Sequence, residues 1–164
     1  MIKQWTVAVL MAALMVKGSP AYAAREVHEF EVSASIPALD FYVIPAETDW
    51  IHLEQTLPWD VRKSTLGSLR RNFDVRHFNG AIKARLETVP YLSNGTASQN
   101  IPLRVFFNGA EVDNFPLPRT VVSASDAMLG ARVPLVIEPQ KPVTGYKSGT
   151  YYGNVVLVFS AAAP

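Results

Sequence analysis

Residues 30–36 read Phe-Glu-Val-Ser-Ala-Ser-Ile, so apolar and polar side chains alternate through them without a break. Period-two alternation is typical of a β-strand with one buried face. The side chains predicted on that face are Phe30, Val32, Ala34 and Ile36. Pro37 ends the strand, because proline has no amide proton to give to a ladder. Such a strand either pairs within its own domain or is donated to a neighbouring molecule.

The first 23 residues have the pattern of a signal peptide. Lys3 precedes a mainly apolar run over residues 5–16, and residues 17–20 break the helix. Small residues occupy the positions that signal peptidase reads, which predicts cleavage between Ala23 and Ala24. The apolar run is too short to span a bilayer, so we expect the exported protein to be soluble.

Size, charge and cysteine content limit the function classes. Removing 23 of the 164 residues leaves 141, enough for one domain with a single core. Lys3 and Lys17 leave with the signal, so 13 basic residues remain against 14 acidic ones and the net charge is −1. This balance argues against nucleic acid as a partner. With no cysteine, stability must come from a large core or a partner strand rather than from disulfides.

Turn and strand patterns predict an all-β domain. Two Asn-Gly pairs, at residues 79–80 and 108–109, lie between alternating stretches. Asn-Gly favours the type I′ turn, so each pair predicts a β-hairpin. The hairpin strands are expected at residues 72–78 with 81–87 and at 101–107 with 110–113, and further strands at 39–44, 50–55, 120–124, 133–138 and 149–160. Short strands with regular punctuation indicate a β-sandwich.

Four stretches of the chain, taken in order, carry a resemblance to a known family. They are residues 30–37, an alternating run that ends in proline; 81–92, a charged strand followed by Pro-Tyr-Leu; 101–105 with the Asn-Gly turn; and 134–137 with 149–158, which holds a Gly-x-Tyr-x-Gly-x-Val-x-Leu pattern. Together they resemble the major pilin of alternate-chaperone fimbriae, the class five or colonisation-factor-antigen type that includes cable pilins.

The resemblance implies an incomplete immunoglobulin-like β-sandwich that is completed by a donated N-terminal strand. It implies a signal peptide at 1–23, a donor-strand segment at 24–37 and a pilin domain at 38–164. Phe30, Val32, Ala34 and Ile36 of one subunit would fill a groove beside the C-terminal strand of the next. The groove-adjacent residues would be Tyr151, Tyr152, Val155, Val156, Leu157, Val158 and Phe159.

The same resemblance implies the partners and the location. Identical pilin subunits would form a head-to-tail polymer that supports adhesion, after export through the periplasm to a fimbrium on the cell surface. A periplasmic chaperone would hold the groove before assembly, and an outer-membrane usher and a tip adhesin would complete the system. A minor fimbrial subunit and a periplasmic carbohydrate-binding module remain the alternatives, whereas a two-domain assembly chaperone would need a longer chain.

Nothing in the sequence predicts an enzyme, a cofactor or a metal site. There is no Gly-x-Ser-x-Gly motif, and the three histidines are far apart. His52 and His77 are expected to be satisfied strand residues. Trp50 and Trp59, with arginines nearby, could form a sugar platform, but core tryptophans with solvated arginines are favoured. Residues 94–96 fit a glycosylation acceptor, and a plain polar turn is favoured there.

Overall fold

The computed structural model describes residues 40–161, and in that range the regular secondary structure is almost entirely β-strand. The strands are β1 (Phe41–Pro45), β2 (Trp59–Asp60), β3 (Thr65–Leu66), β4 (Leu69–His77), β5 (Ile82–Leu86), β6 (Tyr91–Leu92), β7 (Ile101–Phe107), β8 (Ala110–Val112), β9 (Arg119–Val122), β10 (Ala131–Pro139) and β11 (Leu157–Ala161). A 3-10 turn spans Ala97–Gln99 and one short helix, α1, spans Ala124–Leu129. The predicted all-β class is confirmed, while the predicted signal peptide and donor strand lie outside the described residues.

The strands form two main antiparallel sheets and a small hairpin. The first sheet has the order β1-β4-β10-β7-β6, with β8 also paired to β7; the second has the order β11-β5-β9; β2 pairs with β3. Alternate side chains of both sheets point into one apolar core, as on β5, where Ile82, Ala84 and Leu86 are buried and the residues between them are half-buried. The alternation read from the sequence therefore marks the inner faces of a sandwich.

Three phenylalanines join the two sheets across the core. Phe107 of β7 is fully buried, and its ring centroid lies 5.6 Å from that of Phe73 on β4. Phe159 of β11, in the other sheet, approaches Phe107 to 4.8 Å. Such offset and edge-on aromatic contacts stabilise a core beyond the area that they bury.

The hairpin predicted at Asn108-Gly109 is confirmed. Phe107 pairs with Ala110 across a two-residue turn, and both turn residues have positive φ, 51° for Asn108 and 78° for Gly109. The Asn108 side chain also donates to the Val121 carbonyl at 2.8 Å. The turn therefore ties the first sheet to β9 of the second.

The hairpin predicted at Asn79-Gly80 is wrong. β4 pairs with β1 and β10, whereas β5 pairs with β9 and β11, so the chain crosses from one sheet to the other. Neither Asn79 nor Gly80 has the positive φ that a type I′ turn requires. His77 Nδ1 lies 2.9 Å from the Gly80 carbonyl and fixes the crossing. The alternation of apolar and polar residues is the same whether two consecutive strands pair in one sheet or lie in two sheets that face each other. The sequence pattern therefore could not distinguish the two arrangements.

The remaining element predictions differ in detail. Residues 50–55 form a loop rather than a strand, which leaves His52 exposed and outside any strand, whereas His77 is the buried last residue of β4. Strand β9 ends at Val122, where Ser123 caps α1 by accepting from the Asp126 amide at 3.2 Å. Among residues 40–161, no helix has the length and apolar character needed to cross a membrane.

Candidate strand-binding groove

An apolar groove with a volume of about 970 Å³ opens between the two sheets, alongside one edge strand of each. Val43 and Pro45 of β1 line it from the first sheet, and Leu157 and Phe159 of β11 line it from the second. Within the described residues, β1 pairs only with β4, and β11 pairs only with β5. Each strand therefore has one edge that no other described strand covers.

The floor of the groove is the core of the domain itself. Phe73, Leu103, Leu135 and Ile137 belong to the main cluster of buried residues and also line the groove. They come from β4, β7 and β10, the central strands of the first sheet. An occupant of the groove would therefore extend the interior of the protein rather than sit on its surface.

The C-terminal wall begins before β11, with an extended segment that two backbone contacts hold in place. Tyr152 exchanges hydrogen bonds with Ser93 at 2.8 and 2.9 Å, and the Val156 carbonyl accepts from the Glu87 amide at 3.0 Å. A Cβ on Gly153 would overlap the Tyr91 carbonyl oxygen, so only glycine fits between these two contacts. The predicted strand over residues 149–160 is thus regular only from Leu157.

Six of the seven predicted groove-adjacent residues line this groove: Tyr151, Tyr152, Val155, Val156, Leu157 and Phe159. Val158 does not, because it alternates with Leu157 and Phe159 along β11 and points to the other face. The predicted donor residues, Phe30, Val32, Ala34 and Ile36, lie outside the described part of the chain.

The loop at residues 46–58 forms a wall that the sequence reasoning missed. Ile51, Leu53 and Leu57 of this loop line the groove, and Ile51 and Leu53 remain 46% and 65% exposed. The side chain of Gln55 holds the loop, since it donates to the Trp50 carbonyl at 3.0 Å and accepts from Arg71 Nε at 3.1 Å. The signal for this wall in the sequence was the run of apolar residues itself, which includes Ile51, Leu53 and Leu57.

Trp50 and Trp59 occupy different settings. Trp50 is half-buried, with its ring centroid 5.7 Å from that of Phe73, so the core interpretation holds for this residue. For Trp59 that interpretation is wrong, because 48% of it is exposed and its aromatic contact is Tyr146 at 5.5 Å. The reason is that β2 and β3, with two residues each, form a short hairpin outside both sheets, which offers little surface on which to bury an indole.

Charge is concentrated away from the groove. Of the residues that line it in the described chain, Glu54 alone is charged. Ion pairs instead join neighbouring strands: Arg132 donates to both oxygens of Asp74 at 2.8 and 2.9 Å, and these hydrogen bonds hold the pKa of that carboxyl below its usual value. With one charged residue in its described lining, the groove is suited to an apolar occupant.

Residues 40–161 contain no group of three acidic, histidine or cysteine side chains placed to hold a metal.

Comparison with known proteins finds a matching family model and similar solved structures. The family model described as the CS1 type fimbrial major subunit matches residues 26–160. Among solved structures, the fold is similar to the CooA pilin subunit from enterotoxigenic Escherichia coli, with a TM-score of 0.57 and 18% sequence identity over 72% of this chain and 86% of that one. No protein with a curated description matches the sequence. At this identity, the structural likeness shows the fold.

Proposed function

We propose that this chain, which belongs to the CS1 type fimbrial major subunit family, joins to its neighbours by exchanging a strand. Membership confirms the resemblance read from the sequence: the protein is a structural subunit of a surface fimbria, and the family is one of structural proteins rather than enzymes. The proposal concerns the joint. Residues 30–36 of one subunit fill the groove of the next and pair with the edge of β11 that no other described strand covers.

The observation that carries the proposal is the groove itself, in which a strand edge that no other described strand covers lies beside residues of the core. A segment of seven residues extends over about 23 Å as a strand. Its main chain supplies ladder hydrogen bonds, each worth about 0.5–1.5 kcal/mol net. Its apolar face supplies Phe30, Val32 and Ile36, and burying each of them contributes roughly 1.5–3 kcal/mol. Main-chain pairing provides affinity, and the alternating side chains provide specificity.

The same geometry accounts for a filament. The donor segment and the groove are different surfaces of one molecule, so each joint is head to tail. A head-to-tail contact that does not close into a ring repeats without limit. One such joint per subunit is therefore enough to build a fibre.

The groove also gives a physical reason why the subunit would need assembly partners. Before polymerisation it would expose apolar side chains and a strand edge, a combination that leads to aggregation. A periplasmic chaperone that inserts its own strand would protect it after signal cleavage between Ala23 and Ala24. At an outer-membrane usher, the next subunit would then replace the chaperone. A tip adhesin would occupy the end of the fibre.

A charge on either face of the donor strand tests the proposal. Val32→Asp should abolish surface fibres in the native host, because a carboxylate would enter a dry groove. Ser33→Asp places the same charge on the outward face and should leave fibres intact. Electron microscopy of cells carrying each variant, with immunoblots for subunit export, provides the measurement. Normal fibres from Val32→Asp would contradict the proposal.

Deletion of residues 25–36 tests the same joint from the other side. The truncated chain retains the groove, so it should still be recovered bound to a chaperone but should form no fibres. Affinity capture of the truncated chain and microscopy of the same cells report the two outcomes. Fibres assembled from the truncated chain alone would show that another segment makes the joint.

A further inference from the structure

Two groups of exposed apolar side chains lie outside the groove. Phe78 follows β4, and Met128 and Leu129 are the last residues of α1; all three are exposed, Leu129 by 82%. Phe115 and Leu117 belong to the loop between β8 and β9 and are also exposed, Leu117 by 84%. None of these five residues lines the groove, so strand exchange alone gives them no role.

The two groups lie at opposite ends of the domain, because β5 runs between them. Its first residue, Ile82, pairs with Val122, the last residue of β9 before α1. The amide of its last residue, Leu86, donates to the Asp113 carbonyl at 2.7 Å, where the loop begins. The five residues of β5 extend over about 13 Å. We call the end with Phe78, Met128 and Leu129 the α1 end, and the end with Phe115 and Leu117 the loop end.

The chain enters the described domain at the α1 end. Asp40 is the first described residue, and its carbonyl accepts from the Phe78 amide at 3.1 Å. Four residue steps separate Asp40 from Ile36, the last residue of the proposed donor strand, and they span at most about 14 Å. A donated strand would therefore hold the α1 end of its own subunit close to the point where it leaves the groove of the acceptor.

The direction of the donated strand decides which end of the acceptor lies there. β11 runs toward the α1 end, since Leu157 pairs with Leu86 and Ala161 pairs with Ile82. A strand parallel to β11 would leave the groove at the acceptor's α1 end, and each subunit would then have both neighbours at that one end. An antiparallel strand would leave at the loop end, which gives each subunit one neighbour at either end, as a head-to-tail fibre requires.

We propose that the α1 end of each subunit packs against the loop end of the subunit that accepts its strand. The occupant of both apolar groups is thus a second copy of this chain, and the inference rests on the strand exchange proposed above. The donated strand, β11, β5 and the loop at Asp113 follow one another across the loop end, so the loop lies about 15 Å from the donated strand. Adjoining apolar side chains at such a distance from an interface mark its continuation.

The loop is held in shape before it meets a neighbour. Pro116 and Pro118 alternate with Phe115 and Leu117, and each proline ring fixes a backbone φ. The Phe115 amide also donates to the Asp113 carboxylate at 3.2 Å. A loop ordered in this way loses little conformational freedom on docking, so more of the gain from apolar burial remains as affinity.

A glutamate in either group tests the contact. Leu117→Glu and Leu129→Glu change exposed side chains, so both subunits should fold and be exported. Their fibres should lose subunits in denaturant about tenfold faster than unaltered fibres, because a carboxylate would be buried between subunits. Thr120→Glu places the same charge on an exposed residue of β9, opposite the middle of β5, and should leave the rate unchanged. Equal rates for Leu117→Glu and Thr120→Glu fibres would overturn the inference.

A pair of opposite charges tests whether the two groups meet. Leu117→Glu with Leu129→Lys in one chain should return the rate toward that of unaltered fibres, whereas Leu117→Glu with Leu129→Glu should speed the loss further. Independent effects of the substitutions at 117 and 129, in fibres that Val32→Asp still abolishes, would overturn the contact and leave strand exchange standing. If the unaltered chain formed no fibres, both proposals would fail.

Discussion

Gly153 shows how one residue shapes the groove. It lies between the backbone contacts of Tyr152 and Val156, where the chain passes so near the Tyr91 carbonyl that a Cβ would overlap the oxygen. Backbone atoms cannot move aside as cheaply as the end of a flexible side chain. The close approach brings Tyr151–Val156 against β6 of the first sheet, and these residues line one end of the groove.

Gly153→Ala should therefore destabilise the subunit by roughly 1–3 kcal/mol, because the added methyl group pushes the segment away from Tyr91. Thr150→Ala changes an exposed position nearby and should have an effect within about 0.5 kcal/mol. Chemical denaturation of both variants, each bound to the same strand donor, gives the comparison. Equal stability of the two variants would contradict the packing argument.

The Asp74–Arg132 pair gives the pH dependence a definite sign. Hydrogen bonds from Arg132 hold the pKa of Asp74 below its ordinary value, so the folded state binds this proton less tightly than the unfolded state. The resulting stability is present above the ordinary carboxyl pKa and is lost as the pH falls through the lowered one. Because the Arg132 side chain is 62% exposed, water screens the pair and the effect is small.

Arg132→Met should raise the pKa of Asp74 toward its ordinary value, since the methionine side chain keeps much of the length and loses the two donors. An NMR titration of the Asp74 carboxyl carbon in the folded protein measures the shift directly. The stabilities of the variant and the parent should converge in acid, where the carboxyl is protonated in both. An unchanged titration midpoint would show that the ion pair does not persist in solution.

At the level of elements, the β7–β8 hairpin is a connection between sheets as well as a turn. Asn108 adopts a φ of 51°, which asparagine tolerates better than most residues. Its amide also reaches the Val121 carbonyl on β9 at 2.8 Å. The residue thus contributes backbone conformation to one sheet and a hydrogen bond to the other.

Two substitutions separate these contributions. Asn108→Ala should lose both and cost roughly 1–3 kcal/mol of unfolding free energy. Asn108→Gly keeps the freedom to adopt positive φ and loses only the hydrogen bond, so its cost should be smaller. Denaturation curves of the two variants test the order. A glycine variant as unstable as the alanine variant would assign the whole effect to the bond with β9.

For the whole molecule, strand exchange between copies and a first strand folded back into its own groove predict different disulfides. A chain without cysteine permits a clean test by disulfide trapping. Ala34→Cys, combined in one chain with either Val155→Cys or Leu157→Cys, should produce a ladder of covalent multimers on non-reducing gels. The reason is that a disulfide needs the two Cα atoms within about 7 Å, and the proposed strand exchange would bring them together between subunits.

The control pairs Ala34→Cys with Val143→Cys, which changes a fully exposed residue that does not line the groove. This pair should not form the ladder. A disulfide that forms readily while the chain remains monomeric would show that the first strand folds back into its own groove, and would contradict strand exchange.

The sequence by itself determined the features that depend on neighbouring residues. Period-two alternation marked the inner faces of β4, β5 and β7, because successive side chains on a strand must point to opposite faces. The turn at Asn108-Gly109 was predictable because the two residues supply the required φ values themselves. The apolar C-terminal strand and the order of motifs along the chain were enough to indicate the family.

Only the tertiary structure decided which faces and edges meet. The same Asn-Gly dipeptide makes a hairpin at 108–109 and a crossing between sheets at 79–80, because the buried faces of β4 and β5 pack toward one another across the core. The loop at 46–58 has no strand pairing of its own, and becomes a groove wall through the contacts of Trp50 with Phe73 and of Gln55 with Arg71. Such contacts join residues that are distant in the chain, and no local pattern specifies them.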